Sequence, residues 1–294
     1  MRFAILVTML LALFVDYSYS QASRGIVKEG LKVESSILGK PVRYTIYLPF
    51  DYETSERQYP VVYLLHGYTD NDTGWLQFGE ANLIADEAIA KREIPPMIIV
   101  MPDGGVSWYI NNHDGSVKYE DFFFKEFIPA IESKYRIRAQ KQYRGISGLS
   151  MGGYGSLVYS LRHPDMFAAC AAFSSAVQTD EEVASAADDR WGQVFGPVYG
   201  ASSKGKDRIT EHFKSYSPLH IVRAAGADKV KSVRFYVDCG DDDFLYKGNA
   251  TLHITLRDLK IPHEYRVRDG AHTWTYWRSG LANGLKFIGE SFHR

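Results

Sequence analysis

Tyr143 to Leu161 reads YRGISGLSMGGYGSLVYSL, and the fold turns on this stretch. Tyr143 to Ile146 predicts a short strand, and the apolar pattern of Met151 to Leu161 predicts a helix. Between them, Gly148-Leu149-Ser150-Met151-Gly152 has the G-x-S-x-G spacing, followed by Gly153. In a strand, tight turn and helix, that spacing holds a serine at the apex of a sharp turn. A serine held there has strained backbone angles and no room for bulky neighbours two positions to either side, so glycine is demanded. The turn lifts the hydroxyl above the sheet and aims the first helical amides at the same place. Ser150 is therefore the candidate nucleophile, whereas Ser147 lacks that flanking geometry.

A serine hydroxyl needs a base, and the base needs a group to orient it. In α/β-hydrolases the chain order is Ser, then Asp or Glu, then His, with both partners on loops at strand ends. The strand His263 to Val267 runs into Arg268-Asp269-Gly270-Ala271-His272, which makes His272 the only histidine just beyond the last strand. His272 can take the serine proton and return it to the leaving group. The other eight histidines, among them His66 and His113, read as structural or surface residues. For the acid, Asp238, Asp241, Asp242 and Asp243 all lie in or just after the strand Val233 to Cys239, and spacing alone does not choose. At least two of them are expected to be solvent-facing caps of the following helix. The run Leu64-Leu65-His66-Gly67-Tyr68 ends an earlier strand, where a loop amide can reach a tetrahedral oxygen. The amide of Met151, next after the nucleophile, is the second donor.

Working outward, the same alternation recurs. Leu31 to Leu38 and Val42 to Leu48 alternate around Gly39-Lys40-Pro41 and predict an antiparallel hairpin. Val61 to Leu65, Met97 to Met101 and Ala168 to Phe173 are continuous apolar runs, as strands buried on both faces of a parallel sheet are. Arg234 to Cys239 is similarly placed. Helical patterns separate the strands at Ala81 to Lys91, Tyr119 to Tyr135, Asn249 to Leu259 and Trp274 to Ile288. Crossover helices covering both faces specify a three-layer α/β fold. The expectation is an α/β-hydrolase-type sheet of about eight or nine mostly parallel strands with an N-terminal antiparallel hairpin. Residues 178–230 are too long for a single crossover and read as a cap-like insertion in one domain spanning 21–294.

The first twenty residues follow another logic. Arg2 precedes the thirteen-residue run Phe3 to Val15, which is apolar except for Thr8, and Ser18 and Ser20 suit a signal-peptidase site. The run is too short to span a bilayer as a helix. Residues 1–20 are thus expected to be a signal peptide, with a secreted or periplasmic mature chain that keeps no membrane anchor. The 34 Lys+Arg against 35 Asp+Glu leave a formal charge of -1, so no positive field favours nucleic acid. Hydrophobic residues at 45% exclude a disordered chain. Cys170 and Cys239 lie at opposite levels of their strands and are read as buried and unbridged.

Several stretches together resemble a known esterase family. They are Tyr47-Leu48-Pro49, Leu65-His66-Gly67 with Gly74-Trp75, Met101 to Gly105, Gly148 to Gly153, Phe195-Gly196, Tyr216 to Leu219, Asp238 to Leu245, and Gly270 to Trp274. The chain resembles, over about residues 30 to 290, the family that contains feruloyl and acetylxylan esterases of the first carbohydrate esterase family. S-formylglutathione hydrolases (esterase D-like) and mycolyltransferases also belong to it. The resemblance implies Asp243 as the acid, Tyr68 as the first oxyanion amide, and Ser150 and His272 as nucleophile and base. Trp75 and Trp274 match aromatic positions of the family.

No metal or cofactor is expected. His66, Asp70 and Asp72, and likewise His113 and Asp114, lack zinc-site spacing, and Asp241 to Asp243 lack the remaining ligands of an EF-hand loop. Serine acyl transfer needs no cofactor. The expected function is a secreted serine carboxylesterase acting on feruloyl or acetyl esters of plant polysaccharides, with a general short-chain esterase or an S-formylglutathione hydrolase as alternatives. A non-catalytic carbohydrate-binding protein on the same fold is the alternative of another class. Trp75, Trp108, Tyr109, Trp191 and Tyr199 are the expected lining of an acyl slot.

Overall fold

The structure is a computed structural model that describes residues 24–224 and 227–293. The signal-peptide expectation at 1–20 lies outside the described residues. Among the described residues eight strands make one sheet: β1 (Ile26–Val33), β2 (Val42–Leu48), β3 (Val61–Leu65), β4 (Ile98–Pro102), β5 (Arg144–Leu149), β6 (Ala169–Phe173), β7 (Arg234–Gly240) and β8 (His263–Arg268). Their spatial order is β1-β2-β4-β3-β5-β6-β7-β8. The β1–β2 and β2–β4 pairs are antiparallel and the rest are parallel. This is the α/β-hydrolase fold with its N-terminal antiparallel hairpin.

The strand residues divide between two cores with a period of two. Val61, Tyr63 and Leu65 face one side, with Ile98, Val100, Cys170 and Ala172. Val62 and Leu64 face the other, with Ile99, Met101, Ala169 and Ala171. Helices α1 (Ala81–Ala90) and α6 (Trp274–Gly289) cover the second face through Ala81, Ala85, Leu281, Leu285 and Ile288. On the first face lie α2 (Tyr119–Phe122), α3 (Ile128–Lys134), α4 (Met151–Arg162) and α5 (Tyr246–Asp258). A π turn, Phe123–Phe127, joins α2 to α3 and places Phe123 against Phe127 with centroids 5.7 Å apart. Edge strand β8 carries His263, Glu264, Arg266 and Arg268, charged or polar groups that discourage pairing with a further strand. Both cysteines are free and buried, and burial pushes the Cys170 thiol up to about 12.

The hairpin corrects one expectation. β1 occupies Ile26–Val33 rather than Leu31 to Leu38, and Glu34 to Pro41 form the connection. The cause is tertiary. The Glu126 carboxylate accepts from Ser35 Oγ (2.5 Å), Ser36 N (3.1 Å), Ser36 Oγ (2.5 Å) and Ile37 N (3.2 Å), drawing these residues out of the sheet. β1 itself takes a register shift between Lys28 and Leu31, at Gly30 with φ +68°.

Between β6 and β7 the chain forms a string of short helices, including Asp180–Ser185, Asp188–Arg190, Glu211–Tyr216 and Pro218–Ala224. Buried Glu120 of α2 fastens this string to the body. Its carboxylate accepts from Arg162 Nε (2.8 Å) and Tyr216 Oη (2.7 Å), and lies 2.9 Å from His163 Nε2. Burial pushes the Glu120 carboxyl up, but the bonds from His163, Arg162 and Tyr216 dominate and bring it to about 2. A carboxyl held below its unfolded value stabilises the fold above that value, and the contribution fades as pH falls toward about 2. Glu120→Ala leaves Arg162 partly buried without its carboxylate and should cost about 3–5 kcal/mol at pH 7. Urea unfolding at pH 7 and pH 3 checks this. The gap between variant and wild type should narrow at pH 3, and an equal gap at both would remove the carboxylate from the account.

Candidate active site

β5 ends at Leu149, and Ser150 takes φ +53° and ψ −115°, a strained conformation for a residue with a side chain. The turn closes only because of its glycines. A Cβ on Gly148 would lie 2.5 Å from the Gly152 carbonyl, and one on Gly152 would lie 2.4 Å from the Leu65 carbonyl oxygen. α4 starts at Met151 directly behind the serine. Ser147 is buried and spends its hydroxyl on the Ala171 carbonyl at 2.7 Å.

The ends of β7 and β8 bring the other two groups to this elbow. Ser150 Oγ lies 2.9 Å from His272 Nε2, while His272 Nδ1 lies 2.9 Å and 3.1 Å from the two Asp243 oxygens. A carboxylate on Nδ1 selects the tautomer whose Nε2 lone pair faces the serine hydroxyl. Burial pushes the Asp243 carboxyl up, yet bonds from His272, the Ser174 hydroxyl and the Leu245 N–H hold it below the usual aspartate range. The Trp277 indole donates to Ser174 Oγ at 3.0 Å. An indole N–H only donates, so the Ser174 proton is left free for Asp243. The Trp277 ring also stands edge-on to His272, with centroids 4.8 Å apart, and Phe244 covers another side at 4.6 Å.

The rival carboxylates have other tasks. Asp238 is buried and bound by Arg268 Nε (2.9 Å) and by the Tyr236 and Tyr276 hydroxyls. Asp241 and Asp242 are exposed, as expected, but they do not cap α5, whose N-cap Leu245 has no side-chain cap. Asp241 Oδ1 instead accepts from Gly270 N at 2.9 Å and ties down the loop that carries His272.

His66 braces the loop that follows β3. Its Nδ1 lies 2.7 Å from the Gly67 carbonyl, and its Nε2 accepts from Gly104 N at 2.8 Å; the Nδ1–H tautomer satisfies both. This joins the β3 and β4 loops and sets the backbone at Tyr68. Among the described residues, the Tyr68 and Met151 N–H groups meet no protein acceptor. Tyr68 lines the cleft that holds Ser150, and Met151 directly follows that serine at the start of α4.

That cleft has a volume of about 420 Å³. Leu149, Ala176, Trp108, Val194 and Phe195 give it apolar walls, and Asp70, Gln178 and Arg190 give it polar ones. Burial pushes the Asp70 carboxyl above its usual range. Of the five aromatics expected to line a slot, only Trp108 does so. The other four are buried behind the walls with the polar end of each used internally, while Trp108, whose indole also donates internally to the Val194 carbonyl (3.0 Å), keeps a ring face on the cleft. Trp75 donates to the Leu65 carbonyl (2.9 Å), Tyr109 to the His66 carbonyl (3.1 Å), Trp191 to the Gly200 carbonyl (3.0 Å), and Tyr199 pairs with the Tyr154 hydroxyl. Trp274 and Trp277 line the cleft in their place. Phe244 and Leu245 were legible as neighbours of Asp243, whereas nothing in the sequence singles out Gln178 or Arg190.

The profile of the family described as "Putative esterase" matches residues 35–288. The chain belongs to this esterase family. This is the esterase family that the motif resemblance implies. It is 31% identical over 260 residues to an esterase of Mycobacterium tuberculosis, covering 83% of this chain and 55% of that protein. The chain thus spans about half the length of that relative. It is 35% identical over 156 residues to an endo-1,4-beta-xylanase/feruloyl esterase of Xylanibacter ruminicola, covering 51% of this chain and 22% of that protein. A solved structure of a ferulic acid esterase superposes with a TM-score of 0.78 at 35% identity, covering 92% of this chain and 98% of that one. Among the described residues no helix is long and apolar enough to cross a membrane.

Proposed function

We propose that this esterase is an exported serine carboxylesterase that cleaves feruloyl or acetyl esters of plant polysaccharides through Ser150, His272 and Asp243. The observation that carries the chemistry is the continuous chain from Ser150 Oγ through the imidazole to a buried carboxylate, 2.9 Å at each step. Ser150 Oγ attacks the ester carbonyl carbon while its proton passes to His272 Nε2. Asp243 holds the ring and stabilises the imidazolium. The oxyanion is received by the N–H groups of Tyr68 and Met151. The C–O bond to the alcohol then breaks, and His272 returns the proton to the departing oxygen. Water, activated by the same nitrogen, attacks the acyl-serine and releases the acid. Residues 180–224 act as a wall of the acyl slot through Arg190, Val194 and Phe195.

The substrate class is supported by the apolar walls with donors at Gln178 and Arg190, which suit an aromatic acyl group with oxygen substituents. The likeness to a ferulic acid esterase and the leader-like first twenty residues support the same reading. Specificity is a ratio of kcat/KM values, so the test is a panel of methyl ferulate, acetylated xylan, tributyrin and S-formylglutathione. Methyl ferulate or acetylated xylan should lead. A tenfold or greater preference for S-formylglutathione overturns the polysaccharide reading, and a preference for tributyrin makes the protein a general short-chain esterase. Failure of a fluorophosphonate probe to label Ser150, with no turnover of any of the four, returns the protein to the binding class.

A further inference from the structure

Among the described residues, four of the exposed large hydrophobic side chains are aromatic: Phe50 (41% exposed), Phe78 (50%), Phe244 (59%) and Tyr246 (59%). Three of the four belong to segments that reach one cleft. Phe244 lines it, Phe78 packs at 5.7 Å on the lining residue Trp274, and Tyr246 follows the lining residue Leu245. Exposed apolar side chains scattered singly are ordinary, whereas rings gathered beside a cleft and rimmed by polar groups suit a contact. Here the rings are not a continuous oily patch, because exposed Gln77, Asp241, Asp242, Thr273 and Thr275 lie among them in the chain. An acyl droplet or lipid surface disfavours two carboxylates at its boundary. A sugar ring suits them: its C–H face packs on an aromatic face, and its rim of hydroxyls meets amides, hydroxyls and carboxylates.

We infer that Phe78 and Tyr246, continuous with the cleft through Trp274 and Leu245, form a docking rim for the sugar chain that bears the ester. This inference rests on the reading of the site as a polysaccharide esterase and names the element that would select polymer over small ester. The rim comes from the segments after β3 and β7, so a chain lying on it passes the carboxyl edge of the sheet, where Ser150 stands.

The test compares two substrates with one acyl group. In the double variant Phe78→Ser/Tyr246→Ser, kcat/KM on feruloylated arabinoxylan should fall roughly tenfold, while that on methyl ferulate stays within about twofold. A binding arm uses Ser150→Ala protein in native gels cast with ester-free arabinoxylan. Retardation is expected, and it should be lost when Phe78 and Tyr246 are also replaced. Equal slowing on both esters, unchanged polymer turnover, or retardation that survives the replacements overturns the rim. Slowing confined to tributyrin droplets also overturns it and assigns the surface to lipid. If the wild-type protein turns over neither methyl ferulate nor 4-nitrophenyl acetate, the esterase reading fails, while gel retardation still decides whether the rim holds sugar.

Discussion

Ser150→Ala is expected to lower kcat on 4-nitrophenyl acetate by roughly five to six powers of ten, with the fold intact. The side chain contributes one oxygen, and in the proposed mechanism the chemistry passes through it. His272 retains its partner Asp243 at 2.9 Å, but the oxygen 2.9 Å from Nε2 is gone. Residual turnover reflects binding and the oxyanion amides acting on water. The elbow keeps its shape, because alanine meets the same φ of +53° and the glycine contacts are unchanged. Circular dichroism and the Tm should match the wild type. Wild-type-like turnover in the variant ends the proposed mechanism.

Asp243→Asn is expected to cost about four powers of ten in kcat. Three donors converge on this carboxylate: the His272 ring, the Ser174 hydroxyl and the Leu245 N–H. An asparagine offers one acceptor oxygen and one NH2, so its NH2 must face at least one of these donors. Aimed at His272, it forces the proton onto Nε2 and removes the lone pair that receives the serine proton. Asp241→Asn should be mild, since an amide oxygen still accepts from Gly270 N, and Asp242→Asn should be mild because that side chain is exposed. The reverse ranking in steady-state kinetics would move the acid to another position.

Strands β3, β4 and β6 were legible because a strand covered on both faces must be apolar throughout, and Val61 to Leu65 shows this without alternation. β1 was misplaced because Glu126, some ninety residues away, captures Ser35 to Ile37, and no local pattern encodes that. Ser150 and His272 were singled out by the elbow and by chain order, and the structure brings them within 2.9 Å of each other. The acid was not legible from spacing, since four aspartates crowd the end of β7 and their partners Arg268, Gly270 and His272 sort them only in three dimensions. The placement of the slot aromatics was not legible for a related reason. Sequence does not show which ring the protein covers: the indole N–H of Trp108 bonds inside, to the Val194 carbonyl, and its ring still meets the cleft, whereas Trp75 and Trp191 bond inside and lie behind it.

The bond between Ser150 and His272 joins residues 122 apart in the chain, and it has a kinetic meaning for how the protein acquires activity. Contacts of such separation pay their loop-closure entropy before they return any stabilisation, so they form late. A growing chain that has completed β5 and its elbow already holds the strained serine, yet the proposed base His272 is missing until β8 and the following loop dock beside β7. In the proposed mechanism Ser150 is therefore inert through most of synthesis, and hydrolysis switches on only when the last strand closes the sheet.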